Sequence, residues 1–259
     1  MRLRWVTVLC AIVSVACREG DDDDLQDYIC EHSSYQIHIF SQSPLVIYIT
    51  NFVTPFERGH LKKITSVPPN GTFYRSNVLS RDGETVSSQR TSSSTTVIPD
   101  VVSDCILERA RQFQGLDMPH THLEPIQLVH YGLGEQYDFH TDWFGEEYAG
   151  GHGSARAGGN RVSSFFAYVE ASEDTVGGGT NFPRLQAPPG KEWCRYLDCD
   201  EPWDAGVTFR PVEGNAVFWT NLVDGGRGGG DERVLHAGLP VARGLKVGMN
   251  IWTKQGPHN

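Results

Sequence analysis

From residue 124 onward the sequence is a series of short aromatic and β-branched segments cut by glycine. They read "EPIQLVHYG", "QYDFHTDWF", "RVSSFFAYVE", "GVTFRPVEGNAVFWTN", "RVLHAGLPV" and "LKVGMNIWTK". Such side chains fit a pleated, half-buried surface, and glycine supplies the turns between strands. No helical period separates these segments, so they predict a jelly roll or small barrel. Further strands are expected at "PLVIYIT" (44–50), "TFYRSNVLS" and "RTSSSTTVI", the last two separated by the turn-rich "RDGE". Two helices are expected to cover one face of a sheet. The first has Thr54 as its cap, Pro55 at its first position and Lys62 and Lys63 at its end. The second spans residues 100–113, with Val101, Cys105 and Ile106 at helical spacing. The expected class is mainly β with flanking helices (α+β). At 259 residues, 39% of them hydrophobic, the chain can build this as one domain.

The beginning of the chain reads differently. "MRLR" is basic, and residues 6–17 form a short apolar run ending in "SVAC". A spanning helix needs about 20 apolar residues, so residues 1–17 read as a secretory signal peptide, with an uncleaved anchor over residues 5–17 as the alternative. Residues 18–43 are expected to be a polar tail or linker, and residues 44–259 the folded domain. No other segment is apolar enough to cross a bilayer. The Asn70-Gly-Thr72 sequon agrees with secretory entry, in the endoplasmic reticulum lumen or beyond it. Beyond the leader's Cys10 and Cys17, four cysteines remain: Cys30, Cys105, Cys194 and Cys199. "CRYLDC" could close a local disulfide or hold two free thiols, and its spacing alone does not make a zinc site. A net charge of -10 argues against nucleic acid or an anionic membrane as partner, although "DDDD" (21–24) supplies four of those charges.

"YDFHTDWF" (137–144) sets a histidine and two acids among four aromatics. On a strand, Asp138, His140 and Asp142 would share a face. A covered carboxylate needs a partner, and a metal ion satisfies a His-x-Asp pair if a third ligand exists. His236, in "RVLHAGLPVARGLKVGMNIW", supplies one. Two histidines and a carboxylate leave coordination positions open, as in non-haem Fe(II) oxygenases, and zinc hydrolases can use the same set. Lys246, ten residues after His236, could reach the far carboxylate of a dicarboxylic co-substrate. Taken singly, His-x-Asp could be a structural pair and Lys246 a surface lysine. His120-Thr-His122 is a rival motif, set in a loop between Pro119 and Pro125 with no carboxylate at a useful spacing.

From about Asn51 to Lys254 the chain resembles the prolyl 4-hydroxylase-like family of Fe(II)- and 2-oxoglutarate-dependent dioxygenases. The resemblance rests on "LVHYGLGEQYDFHTDWF", "GGGTNFP", "GVTFRPVEGNAVFW" and "HAGLPVARGLKVGMNIW". It implies a double-stranded β-helix (jelly-roll) core. It also implies an activity that couples oxidative decarboxylation of 2-oxoglutarate to hydroxylation or desaturation of an unactivated C–H bond. By the same resemblance His140, Asp142 and His236 are iron ligands and Lys246 anchors the distal carboxylate of 2-oxoglutarate. Tyr131 hydrogen-bonds that co-substrate, while Thr180 and Trp252 line its pocket. O2 is the second co-substrate and ascorbate the reductant; the substrate is a peptidyl-proline or a small metabolite. The chain departs from the family pattern at His130, where arginine is usual, and at "GGGT" in place of "GGET". It departs also in a glycine-rich insert at residues 145–160, expected to act as a substrate-gated lid. Two rival readings are a catalytically inert jelly-roll binding module and a zinc hydrolase.

Overall fold

A computed structural model describes residues 25, 28–32, 34–66, 73–80, 83–86, 88–115, 118–145, 158–200, 205–226 and 228–257. The leader at 1–17, the acidic run at 21–24, the sequon at 70–72 and residues 146–157 of the insert lie outside the described residues. The helices are α1 (Pro55–Ser66) and α2 (Val101–Phe113). The strands, in chain order, are β1 (Gln36–Gln42), β2 (Leu45–Thr50), β3 (Tyr74–Arg75), β4 (Asn77–Ser80), β5 (Gly83–Val86), β6 (Ser93–Thr96), β7 (Gln127–Tyr131) and β8 (Tyr137–His140). They continue with β9 (Arg161–Ala171), β10 (Val176–Gly177), β11 (Thr180–Phe182), β12 (Val207–Phe209), β13 (Ala216–Thr220), β14 (His236–Gly238), β15 (Val241–Arg243) and β16 (Lys246–Lys254).

An eight-stranded antiparallel sheet, in the order β1-β2-β13-β9-β16-β7-β6-β3, faces a four-stranded one ordered β12-β11-β14-β8. The strand β9 shows why the chain folds in layers. Phe165, Ala167 and Val169 point to one side, against Leu61 of α1 and Val102 and Ile106 of α2. Phe166 and Tyr168 point to the other, between the sheets, with Phe182, Phe209 and Trp219. Both faces are buried, which explains the near-continuous apolar run of β9. Each phenylalanine, leucine, isoleucine or valine among them contributes roughly 1.5–3 kcal/mol on burial. The expected mainly-β class, with two helices on one face of a double-stranded β-helix core, is borne out.

Both helices start where side chains satisfy their free N–H groups. Thr54 Oγ1 accepts from the Glu57 amide, and Glu57 Oε2 accepts in turn from the Thr54 amide at 2.8 Å. Asp100 caps α2 by accepting from the amides of Val102 and Ser103. Expected strands appear at 45–50 and throughout the region after residue 124, and none of the described helices is long and apolar enough to cross a membrane. Residues 83–84 of the expected "RDGE" turn belong instead to β5, which pairs with β4, and residues 81–82 lie outside the described residues.

The boundary at residue 44 needs correction. Residues 36–42 are not tail but the strand β1, paired along its length with β2. The outward Ile37 and Ile39 are exposed and Phe40 turns inward, so this edge strand lacks the pattern of a core strand. Upstream of it, Cys30 is bonded to Cys105 of α2; a second, local disulfide joins Cys194 to Cys199 far downstream. Arg109 of α2 completes this staple. It donates through Nη1 and Nη2 to both carboxylate oxygens of Glu57 at 2.8 and 2.6 Å, and to the carbonyls of Phe52 and Glu31. Both members of the pair are buried, so removing one strands the other's charge in the core. Arg109→Leu should destabilise the fold by about 3–5 kcal/mol. Denaturant unfolding of the two proteins checks this; a midpoint within error of the unaltered chain would show that the pair carries no stability.

Candidate metal centre

The small sheet brings the two histidines together. In the antiparallel ladder between β8 and β14, His140 and His236 are direct cross-strand partners. Asp142 lies two residues past His140, beyond the end of β8. Ligand atoms of His140, Asp142 and His236 all lie within 4.8 Å of one another. Each histidine Nε2 is 3.9 Å from an oxygen of Asp142. Asp138, expected on the same face, is exposed and stands outside this set; its Oδ1 accepts from the Phe139 amide instead. His140 and Asp142 therefore meet at the site although the strand ends between them, whereas Asp138 shares β8 and the cavity wall with His140 but gives no ligand atom to the set.

Each imidazole is fixed through its other nitrogen. His140 Nδ1 lies 2.8 Å from the Asp138 carbonyl and His236 Nδ1 lies 3.0 Å from the Val234 carbonyl. A carbonyl can only accept, so both Nδ1 atoms carry hydrogen and both Nε2 lone pairs are free to bind a cation. Burial, reinforced by the charge of His236, pushes the His140 imidazole down to about 3, which favours the neutral form a metal needs. Asp142 is pushed up by burial, but the two imidazoles, Arg161 and Ser164 outweigh this and hold it below the usual range. Ser164 Oγ donates to Asp142 Oδ2 at 2.6 Å and accepts from Asn221 Nδ2 at 2.9 Å. Ser164 and Asn221 are buried positioning groups that the sequence reading missed. Their only sequence signal was a polar residue at an inward position of β9 and another just past β13.

A second polar group lies deeper between the sheets. Lys246, at the start of β16, is fully buried and pairs across the ladder with Tyr131 of β7. Its Nζ donates to the Gly178 carbonyl at 2.5 Å and lies 4.1 Å from the centre of the Tyr131 ring. No ion pair to it is found among the described residues. Burial alone pushes the ammonium down to about 7. An ammonium buried without an anion is costly and points to a ligand that supplies one. Burial likewise pushes the Tyr131 phenol up to about 12, so it stays a hydrogen-bond donor. The Tyr131 hydroxyl lies 3.1 Å from where a Cβ on Gly238 would stand, so only glycine leaves it unhindered there. Thr180, opposite Gly238, shares a 2.9 Å hydrogen bond with Tyr168.

A cavity of about 1060 Å³ opens at His140 and Asp142, with Arg161 and Trp252 also in its wall. Trp252 is six residues from Lys246 on the same strand, roughly 20 Å along it. It stands on the cavity side, with the Arg161 guanidinium 3.6 Å from its ring centre. Arg161 is itself held by both carboxylate oxygens of Glu124. His130 alternates to the other face from Tyr131, near Phe73. His120 is taken up elsewhere: its Nε2 pairs with Glu108 of α2, a carboxylate twelve residues away in sequence.

Two facing sheets carry a three-donor site open to the cavity, a double-stranded β-helix whose donor set suits a divalent cation. The sequence profile of the 2OG-Fe(II) oxygenase superfamily matches residues 126–254. The chain is 32% identical over 171 residues to prolyl 4-hydroxylase subunit alpha-2 of Gallus gallus, covering 65% of this chain and 26% of that one. It is 27% identical over 244 residues to probable prolyl 4-hydroxylase 10 of Arabidopsis thaliana, covering 92% and 75%. Its fold is similar to that of the viral collagen prolyl hydroxylase of Paramecium Bursaria Chlorella virus-1, with a TM-score of 0.54 and 20% identity over 88% of this chain and 98% of that one. The chain belongs to the 2OG-Fe(II) oxygenase superfamily and is prolyl 4-hydroxylase-like within it.

Proposed function

We propose that the protein is an Fe(II)- and 2-oxoglutarate-dependent hydroxylase of prolyl 4-hydroxylase type. The observation that carries the reading is the pairing of an open His140–Asp142–His236 site with a fully buried Lys246 that has no anion among the described residues. In this reading the two Nε2 lone pairs and the Asp142 carboxylate hold the iron. Lys246 takes the distal carboxylate of 2-oxoglutarate, with hydrogen bonds from Tyr131 and Thr180. The chemistry the ion supplies when bound, with 2-oxoglutarate and O2 as co-substrates and ascorbate as reductant, is oxidation of an unactivated C–H bond. Ser164 keeps Asp142 turned towards the ion, and the Asp138 and Val234 carbonyls keep both imidazoles in the binding tautomer. Trp252 and Arg161 shape the wall above the site where a substrate enters.

The substrate class follows from the relatives and the cavity. The similar proteins are prolyl 4-hydroxylases, and a cavity of about 1060 Å³ has room for a peptide segment. We therefore favour a prolyl residue in a peptide over a small metabolite. Two disulfides support work in an oxidising compartment, and with the leader at 1–17 they favour the secretory pathway. The test incubates the iron-loaded protein with proline-containing peptides and, separately, with a metabolite pool. Mass spectrometry should find a gain of one oxygen on prolyl residues, with succinate release, only when 2-oxoglutarate is present. Oxygen gain confined to the metabolite pool would overturn the peptide reading. Tightly bound zinc with no succinate would favour a hydrolase, and no turnover of any kind an inert binding module.

A further inference from the structure

The two histidines of the triad have unlike surroundings. His236 is enclosed in the core, with the rings of Trp219 and Phe182 at 4.7 and 5.5 Å. His140 stands in the cavity wall, and the group laid flat on it is Tyr137, with ring centres 3.6 Å apart and planes within 14°. Over the same tyrosine ring lies the guanidinium of Arg90, 4.5 Å from its centre. Arg90 is buried and held at both ends of its fork. Nη1 donates to the Asn77 carbonyl at 3.1 Å and Nη2 to Gln127 Oε1 at 3.2 Å. Its backbone is also tied to the metal strand. Arg90 and Tyr137 bridge as antiparallel partners, the Asp138 amide donates to the Gln89 carbonyl, and the Thr91 amide donates to the Gln136 carbonyl.

We propose that Arg90 is a positioning residue for the metal site. Through the Tyr137 ring it fixes the plane of the His140 imidazole, the one ligand that the core does not enclose. A flat ring with one hydrogen bond at Nδ1 can still tilt about that bond; a second aromatic face pressed against it removes the tilt. A guanidinium held over the tyrosine by two acceptors holds that face in place. The same contacts link His140 to the outer wall of the cavity, because Asn77, Gln89 and Arg90 all line it. Arg90 acts here through Tyr137 rather than on the reacting atoms.

This inference rests on reading the triad as a metal site, and the experiment keeps the two apart. Cobalt(II) serves as the probe, since its visible d–d bands report ligand geometry without any turnover. Binding is titrated for the unaltered protein, Asp142→Ala, Arg90→Gln, Arg90→Lys, Tyr137→Leu and Tyr137→Phe, each with its metal-free melting temperature. Arg90→Gln and Tyr137→Leu should raise the cobalt dissociation constant about 10–100-fold, the range for groups that orient a ligand, and shift the bands. Arg90→Lys should follow Arg90→Gln, because an ammonium cannot keep the planar contact and both hydrogen bonds. Tyr137→Phe keeps the ring and should bind cobalt as the unaltered protein does, and the metal-free melting temperatures separate lost stability from lost affinity. If Asp142→Ala loses cobalt while Arg90→Gln, Arg90→Lys and Tyr137→Leu keep the native affinity and spectrum, the positioning role is wrong. A Tyr137→Phe that loses as much affinity as Tyr137→Leu overturns it too. Where Arg90→Gln does not fold, the two tyrosine variants decide. If Asp142→Ala itself binds cobalt normally, it is the metal reading that fails.

Discussion

Asp142→Ala should reduce turnover to background and weaken iron binding by well over the roughly 100-fold that marks the loss of an orienting group. The carboxylate is the only anionic donor of the triad, and it lies 3.9 Å from each histidine nitrogen. Without it, two neutral imidazoles would face a dication with no charge to offset. The fold should survive. The variant frees the Ser164 hydroxyl, whose unmade hydrogen bond costs about 1–3 kcal/mol, within the margin of an ordinary domain. His140→Ala and His236→Ala should abolish turnover in the same way, since they sit directly opposite one another and neither has a substitute nearby among the described residues. His120→Ala is the contrast. Its imidazole is committed to Glu108 on α2, so iron content should not change. Metal analysis of the four purified variants, with circular dichroism to confirm folding, checks the set. An Asp142→Ala protein with full iron and full 2-oxoglutarate turnover would remove the assignment.

Much of this was legible in the sequence because it depends on local rules. The period of two placed His140 and Asp142 on one side, Thr54 and Asp100 marked the helix starts, and the alternating runs after residue 124 became strands. What stayed hidden depends on partners far apart in the chain. That His236 lies directly opposite His140 is a matter of strand register, and register is set by packing between the sheets rather than by either segment. Ser164 and Asn221 looked like ordinary polar residues; their meaning comes from Asp142, 22 residues from Ser164. Arg90 sat in a stretch expected only to be a strand, with nothing local to show that its side chain reaches Tyr137. Residues 18–43 read as tail because they are polar and mixed, and the pairing of β1 with β2 is not legible in composition.

Lys246→Ala should raise the KM for 2-oxoglutarate about ten- to a hundredfold or more, with iron content unchanged. A hydrogen bond to a charged group contributes roughly 1.5–3 kcal/mol, and the loss falls on co-substrate binding because Lys246 is no part of the triad. Lys246→Arg should recover only part of the affinity. The longer planar group must fit between the Tyr131 ring and the Gly178 carbonyl, where the lysine already sits at 4.1 and 2.5 Å. Lys246→Met separates binding from stability. It removes a buried charge that no anion pairs among the described residues, so the unliganded variant should melt higher while responding less to 2-oxoglutarate. Acidity gives a further signature. Burial pushes the folded ammonium down to about 7 from its ordinary 10.5. Between those values the unfolded chain binds a proton that the folded chain lacks, so unliganded stability should rise with pH across the window. Lys246→Met should flatten that rise. Binding of the 2-oxoglutarate carboxylate restores the proton, so affinity should fall by up to about tenfold per pH unit above 7. Isothermal titration in two buffers of different ionisation enthalpy measures the proton taken up. Equal 2-oxoglutarate KM values in the unaltered protein, Lys246→Ala and Lys246→Arg, with no proton uptake, would show that another cation holds the carboxylate.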